Sequence, residues 1–278
     1  MNLPQQKTRQ YAMADILDNI VAHKRIEVAE FKEKLSPSAL YAEVEKMMDT
    51  TQVTSMRDAL LNSETGIISE FKRRSPSKGW IMQEGKPEII PLAYQKNGAS
   101  AISILTDNNF FGGDDSYITI ARESGVTLPV LYKNFIIDEY QIFQARRCGA
   151  SAILLIASVL KKAECSNLIR RAHDLKLEVL LETHHERETE YAELEPDMCG
   201  VNNRNLGTFI TSVENSFRLS SLLPQDICLV SESGISDAKT IQELRNVGYK
   251  GFLIGEAFMK TGNPGKALNE LIAQLHKV

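Results

Sequence analysis

A repeated alternation of short apolar runs and longer helical stretches most constrains how this chain can fold. After residue 66, about eight units recur, each roughly 20 to 35 residues long. The runs are almost continuously apolar, as parallel strands buried on both faces are. The predicted strands cover 67–71, 101–105, 130–132, 152–156, 178–181, 199–201, 227–230 and 251–254, and the predicted helices between and after them cover 89–97, 117–124, 139–148, 163–175, 185–194, 216–222, 237–247 and 265–275. Eight strand–helix units predict an α/β fold, a (β/α)₈ barrel.

The alternative topology is a doubly wound open sheet. That fold needs a glycine-rich phosphate loop after its first strand, and Glu70-Phe71-Lys72-Arg73-Arg74-Ser75 stands there instead. The barrel is therefore favoured. Gly98, Gly149 and Gly248 precede strands and fit helix C-caps.

The segment before the first strand reads as helical. Helices are predicted over 14–35, with Asp15 as N-cap, and over 38–48 and 55–61. We expect one domain over 1–278, in which 1–62 form a helical extension over the C-terminal face of the barrel and 66–278 form the barrel itself.

Composition narrows the function. The net charge is −4 and no basic patch dominates, which argues against nucleic acid or an anionic membrane as partner. Hydrophobic content of 43% and charged content of 24% are those of a globular protein. The polar start lacks a signal core, and the longest apolar run, 152–160, is too short to span a bilayer.

The cysteines favour a reduced compartment. Cys148, Cys165, Cys199 and Cys228 are scattered without the spacing of a zinc site or a disulfide framework. The sequence therefore predicts a cytoplasmic enzyme.

Charged residues collect where the predicted strands end, which is where barrel enzymes build their active sites. Glu70 and Lys72 lie two apart, so a strand sends both side chains to one face. Lysine, arginine and glutamate side chains that converge on one mouth shift one another's pKa. The residues at these ends are Glu70, Lys72, Lys133, Glu182, Asn202, Arg204 and Glu232.

The last two strands indicate a phosphate site. Ser233-Gly234 and Gly255-Glu256 follow strands 7 and 8, where barrels commonly bind phosphate. Small residues let backbone N–H groups approach an anion, and a short helix beginning near Glu256 would direct its N-terminus at it.

Several motifs in order resemble one family. The stretch 70–79, the Thr106-Asp107 segment with Phe111-Gly112-Gly113, and Lys133-Asn134-Phe135 are similar to the signatures of indole-3-glycerol-phosphate synthase. The likeness continues through 200–206, 231–235 and 253–257, and covers essentially the whole chain from Asp15.

The resemblance implies a reaction and roles for side chains. The substrate would be 1-(2-carboxyphenylamino)-1-deoxyribulose 5-phosphate, which closes its ring with loss of CO₂ and water, a step of tryptophan biosynthesis. Lys133 matches the general acid, Lys72 the partner of the substrate carboxylate, and Glu182 the base for dehydration. Glu70 counts with these catalytic residues. The expected substrate-binding residues are Ser75, Phe111, Leu131, Phe135, Asn202, Arg204 and Glu232.

The sequence departs from the family pattern near two catalytic residues. Asn134 stands where many relatives carry Asp, and Tyr132 and Thr183 are less usual neighbours of Lys133 and Glu182. None of these departures removes a catalytic group.

Other ligands and functions are weighed against this one. His184 and His185 are adjacent and diverge, so no metal is expected, and the chemistry needs no cofactor. We expect a monomer with no obligate partner beyond its phosphosugar substrate. The rival functions are an aminoaldose–ketose isomerase, which would use a carboxylate or thiol pair, and a catalytically silent barrel that binds phosphometabolites.

Overall fold

The computed structural model describes residues 4–205 and 208–277, with the side chains of the first helix described from residue 16 onward. Within these residues, eight parallel strands form a closed barrel in which each strand pairs with its neighbours in the chain and the last pairs with the first. The strands are β1 (Ile67–Phe71), β2 (Ala101–Leu105), β3 (Val130–Lys133), β4 (Ala152–Ile156), β5 (Glu178–Thr183), β6 (Met198–Asn202), β7 (Cys228–Glu232) and β8 (Tyr249–Ile254). The (β/α)₈ prediction is confirmed.

Helices follow the strands and cover the barrel. They are α1 (Pro4–Lys34), α2 (Pro37–Met48), α3 (Met56–Leu61), α4 (Ile90–Lys96), α5 (Asn108–Phe111), α6 (Ser116–Glu123), α7 (Glu139–Cys148), α8 (Lys162–Asp174), α9 (Glu214–Ser220), α10 (Ala238–Asn246), α11 (Glu256–Met259) and α12 (Pro264–Leu275), with a 3₁₀ helix over Glu186–Leu194. Gly98, Gly149 and Gly248 follow helices with φ of 92°, 92° and 103°, so the predicted C-caps adopt the left-handed region that favours glycine.

Each strand divides its side chains between two cores. Val130 and Tyr132 of β3 point outward and pack under the helices, whereas Leu131 points into the barrel. The residues that point into the barrel form the smaller of the two cores, the interior cluster. It includes the first residues of several strands, among them Ala101, Ala152 and Met198. Burial on both faces explains why the strands read as continuous apolar runs.

The N-terminal helices lie on three different parts of the barrel. Helix α1 brings Ile16, Leu17 and Ile20 to the cavity at the carboxyl ends of the strands, so it is the part of the expected 1–62 extension that lies over that face, whereas α2 and α3 lie elsewhere. Helix α2 packs on α7 at the side of the barrel. Helix α3 covers the amino ends, where Met56 and Leu60 join the interior cluster.

Some local predictions were wrong. Asp15 lies inside α1 and is not its N-cap, because the helix begins at Pro4. The 185–194 segment winds as a 3₁₀ helix. A small hairpin, Arg74–Ser75 with Gly79–Trp80, follows β1 and is absent from the predicted elements. No helix in the described ranges combines the length and apolarity that crossing a membrane requires.

Candidate active site

A cavity of about 650 Å³ opens at the carboxyl ends of the strands. Its walls come from strand ends, from the loops after them and from α1. All but one of the residues expected to act in catalysis or to bind the substrate or its phosphate line this cavity: Glu70, Lys72, Ser75, Phe111, Lys133, Phe135, Glu182, Asn202, Arg204, Glu232, Ser233, Gly234, Gly255 and Glu256.

Lys133 is at the centre of the charged floor. It is the last residue of β3, and its Nζ donates hydrogen bonds to Glu232 at 2.6 Å and to Glu182 at 3.1 Å. Both carboxylates are buried at the ends of their own strands. The ammonium of Lys133, whose side chain is 12% exposed to the cavity, is therefore held between two buried carboxylates.

Burial and proximity separate the pKa values of these three groups. Burial lowers the pKa of Lys133, but Glu232, Glu182 and Glu70 outweigh burial and raise the pKa above its usual range. Burial raises the pKa of Glu182, yet Lys133 and His184 bring it well below its usual value. Burial raises the pKa of Glu232 to about 7, because Lys133 compensates it only in part and Glu182 repels it. At neutral pH the site thus holds a protonated lysine beside an ionised glutamate.

His184 was not recognised from the sequence as part of the site. Its Nε2 lies 3.2 Å from Glu182 Oε1, and its Nδ1 lies 3.8 Å from Glu188 Oε2. Burial lowers the pKa of His184, but the adjacent Glu182 carboxylate raises it above its usual value. A signal existed, because a residue two positions after Glu182 in an extended chain faces the same side.

A second ion pair lies beside the first. Lys72 Nζ donates to Glu70 Oε1 at 2.6 Å, at the end of β1. A side chain at Gly255 would collide with Glu70, since its Cβ would lie 2.5 Å from Oε1. Glycine at 255 therefore leaves room for the Glu70 carboxylate beside the cavity.

Two aromatic rings form an apolar wall. Phe111 and Phe135 have ring centroids 5.9 Å apart and line the cavity. Leu131, expected on this wall, is fully buried in the barrel interior and does not line the cavity. It lies two residues before Lys133 on the inward face, so it packs one layer below the charged floor.

The opposite end of the cavity is lined by backbone and basic side chains. Ser233 and Gly234 have φ of 69° and 77°, and a Cβ at Gly234 would lie 2.7 Å from Thr211 Cγ2. Glu256 begins the short helix α11, as predicted, and pairs with Lys78 and with Arg204 Nη2 at 3.3 Å. Burial raises the pKa of Glu256, but its bonds to Lys78 and Arg204 lower it below its usual value.

The three residues expected to depart from the family pattern, Asn134, Tyr132 and Thr183, form their hydrogen bonds with groups other than Lys133, Glu182 and Glu232. Asn134 Nδ2 donates to Thr106 Oγ1 at 2.8 Å, and the Tyr132 hydroxyl donates to Asp115 at 2.7 Å. Thr183 donates to the carbonyl of Gly200 at 3.0 Å. Burial raises the pKa of Asp115 to about 6. None of these side chains takes a partner away from Lys133.

Solved structures share the fold at low sequence identity. 3-Hexulose-6-phosphate synthase from Salmonella typhimurium superposes with a TM-score of 0.61 over 76% of this chain and 99% of that one, at 13% identity. A tryptophan synthase α-subunit from Pyrococcus furiosus gives 0.58 over 78% and 99%, at 14% identity. At such identities these similarities show the barrel alone.

Sequence comparison identifies the family. The model for indole-3-glycerol phosphate synthase matches residues 17–271. An indole-3-glycerol phosphate synthase of Bacteroides thetaiotaomicron is 54% identical over 260 residues, which cover 94% of this chain and 98% of that protein. One of Acidithiobacillus ferrooxidans is 40% identical over 261 residues, 93% of this chain and 99% of the relative. The chain belongs to the indole-3-glycerol phosphate synthase family.

Proposed function

We propose that the charged floor around Lys133 catalyses conversion of 1-(2-carboxyphenylamino)-1-deoxyribulose 5-phosphate to indole-3-glycerol phosphate, CO₂ and water. Family membership supports this decarboxylating lyase reaction of tryptophan biosynthesis. The observation that carries the assignment is the Lys133 ammonium, held at 2.6 and 3.1 Å from two buried carboxylates. It is a proton donor that remains charged at neutral pH, next to a carboxylate that remains ionised.

Lys133 acts first, as general acid. The aromatic carbon that bears the substrate carboxylate attacks the ribulose carbonyl, and Lys133 protonates the oxygen as the C–C bond forms. The ammonium also stabilises the negative charge that develops on this oxygen. Loss of CO₂ then returns the bonding electrons to the ring and restores its aromaticity.

Dehydration completes the indole. Glu182 removes a proton near the ring nitrogen, while Lys72 or Lys133 protonates the departing hydroxyl, so that water leaves. One proton is consumed overall, because the carboxylate that departs as CO₂ carried a negative charge. Glu70 and Glu232 hold the two lysines, at 2.6 Å in each case.

Substrate binding divides between two sides of the cavity. Lys72 pairs with the substrate carboxylate, and Phe111 and Phe135 take the anthranilate ring into an apolar slot. Ser75, Asn202, Arg204 and Glu232 hold the sugar hydroxyls or orient the lysines. The backbone N–H groups of Ser233, Gly234, Gly255 and Glu256 bind the phosphate.

The chain acts as one domain, with 1–62 as the helical extension and 66–278 as the barrel. The contact of α1 with the cavity and of α3 with the interior cluster supports a single domain, and α1 is the part of the extension that lies over the carboxyl-end face. The proposed substrate is a phosphosugar, the state is monomeric and the compartment is the cytoplasm. Four buried free cysteines suit a reducing compartment.

The test follows indole fluorescence when the purified chain meets the carboxyphenylamino-deoxyribulose phosphate. We expect product with the parent, and a rate lower by about 10²- to 10⁴-fold with Glu182→Gln, which keeps shape but removes basicity. The matched control is Glu193→Gln, since that side chain is 74% exposed outside the cavity. Absence of product with the parent would overturn the proposal, and parental turnover by Glu182→Gln across pH would remove Glu182 from the mechanism.

A further inference from the structure

Lys24 is a buried lysine that the proposed chemistry does not use. It is 1% exposed and lies on α1, between the buried Ile20 and Val28 at helical spacing. Burying an ammonium is costly unless it is paired, so its partners indicate why it is there.

The main partner of Lys24 lies on the barrel. Lys24 Nζ is 2.8 Å from Asp107 Oδ2, and the lysine also pairs with Glu27 on its own helix. Asp107 follows β2 and is fully buried, at 0% exposure. Its second oxygen, Oδ1, accepts the backbone N–H groups of Phe110 at 2.8 Å and Phe111 at 3.3 Å. One carboxylate thus joins α1 to the start of α5.

The segment that Asp107 caps carries half of the aromatic wall. Phe111 lies on α5 and faces Phe135 across 5.9 Å in the cavity. The segment returns to β2 through Gly113, whose N–H donates to the Asp107 carbonyl at 2.7 Å. A second contact from α1 supports it, because the ring of His23 meets that of Phe110 edge-on at 5.8 Å.

We propose that Lys24 is a positioning residue, whose ammonium holds Asp107 and thereby fixes the 108–113 segment and the ring of Phe111 against the substrate's anthranilate ring. The part that concerns the substrate rests on the proposed function. Removing one member of a buried ion pair leaves an uncompensated charge, which is strongly destabilising. The segment would therefore move to hydrate Asp107, and Phe111 would leave its place.

The chain contains a reporter for this segment. Trp80 is its single tryptophan, and a Cβ at Gly112 would lie 2.8 Å from Trp80 Cζ3, so the indole packs on the segment itself. Trp80 is 46% exposed, so displacement of Gly112 would uncover the part of the indole that packs on the segment and shift its emission to longer wavelength. This readout does not depend on turnover.

The first variant is Lys24→Met, which keeps length and apolar contacts but removes the charge. We expect a red shift of Trp80 emission and a KM raised by about tenfold or more, with kcat changed by less than about threefold. The control is Lys32→Met, which removes another α1 lysine from an ion pair, with Asp138 at 2.7 Å, where both side chains are about one-third exposed. It should keep parental emission and KM.

The second variant combines Lys24→Met with Asp107→Asn. The amide oxygen can still cap α5, and no unpaired charge remains at position 107. Glu27 also loses Lys24, but its side chain is 15% exposed and lies on α1 itself, so emission and KM should return close to the parental values. Parental emission and KM in Lys24→Met would overturn the proposal, as would a double variant that folds with its emission still shifted. If Lys24→Met does not fold, the double variant alone decides: parental emission and KM support the proposal, and shifted emission overturns it. If the parent chain forms no product, the proposed function is refuted. The comparison of Trp80 emission would still test whether Lys24 holds Asp107 and the 108–113 segment in place.

Discussion

At the amino end of the barrel, α3 covers the strands with Met56 and Leu60, whereas at the carboxyl end the strands finish in charged residues around a cavity. At the amino end the half-buried carboxylate of Glu178 has three donors: it accepts from Ser55 Oγ, Met56 N and Arg57 N at 2.5, 2.6 and 2.9 Å. These bonds attach α3 to β5 and satisfy the first N–H groups of the helix.

The carboxyl end is arranged differently. Lys133 lies between two carboxylates, and Glu232 Oε1 and Ser75 Oγ are buried without a hydrogen-bond partner in the parts of the chain that the structure describes. Unpaired buried polar atoms cost stability, so the carboxyl end is arranged for chemistry, whereas the amino end, where α3 joins the apolar interior cluster, contributes stability.

The largest expected effect tests the carboxyl end. Lys133→Met removes the general acid, so we expect kcat to fall by about 10²- to 10⁴-fold or beyond, because the same ammonium also stabilises developing charge. The fold should survive, since Glu232, with its pKa already raised to about 7, can take up a proton. Steady-state kinetics and urea unfolding measure both quantities.

The matched variant is Lys72→Met at the neighbouring ion pair. It should raise KM more than it lowers kcat, since Lys72 is proposed to bind a carboxylate that is already present in the ground state. Near-parental kcat in Lys133→Met, together with abolished turnover in Lys72→Met, would reverse the two roles.

The next effect tests the amino end. Leu60→Ala leaves a cavity at the amino end of the barrel, because Leu60 is only 1% exposed. We expect the free energy of unfolding to fall by about 2 to 5 kcal/mol, with kcat unchanged. Urea unfolding measures the loss. Leu61→Ala is the control, because its side chain is 41% exposed and should matter little. A large fall in kcat without lost stability would show that the two ends are not separate in function.

The smallest effect is a pH dependence of stability. Folding raises the pKa of Glu232 from 4.5 to about 7. Between these values the folded chain keeps a proton that the unfolded chain has lost, so this group lowers stability as pH rises through the window. Glu232→Gln should flatten that decline, whereas Glu193→Gln should leave it parental. Urea midpoints from about pH 5 to about pH 8 provide the measurement, and parallel curves for parent and Glu232→Gln would contradict the assignment.

The sequence located the strands well but placed some of their carboxyl ends too early. The predicted strands 3, 5, 6 and 7 stopped at their last apolar residue, yet the structure continues them through Lys133, Thr183, Asn202 and Glu232. The backbone ladder does not require apolar side chains, so it extends into the polar residues at the mouth. The apolar pattern identifies the buried part of a strand, and the candidate catalytic groups begin where that pattern ends.

Long-range partners were harder to predict. Lys24 stands in the charged run Lys24-Arg25-Ile26-Glu27, although its spacing from Ile20 and Val28 places it on the buried face of α1. The spacing of apolar residues identifies the buried face of α1, but it does not identify Asp107 on the barrel as the partner of Lys24. The prediction for Leu131 was wrong for another reason. The alternation of side chains along β3 correctly places Leu131 on the inward face, but its depth below the cavity depends on the register of the strands.

The position of α3 also has a consequence for the order of folding. Its residues come early in the chain, but they pack against strands that include β8, and barrel closure pairs Ile67 with Phe252. Contacts this distant in sequence form slowly, because a long loop has to close first. During synthesis, Met56 and Leu60 therefore leave the ribosome well before their complete binding surface exists, and the apolar face of α3 stays unburied until the last strand has been made.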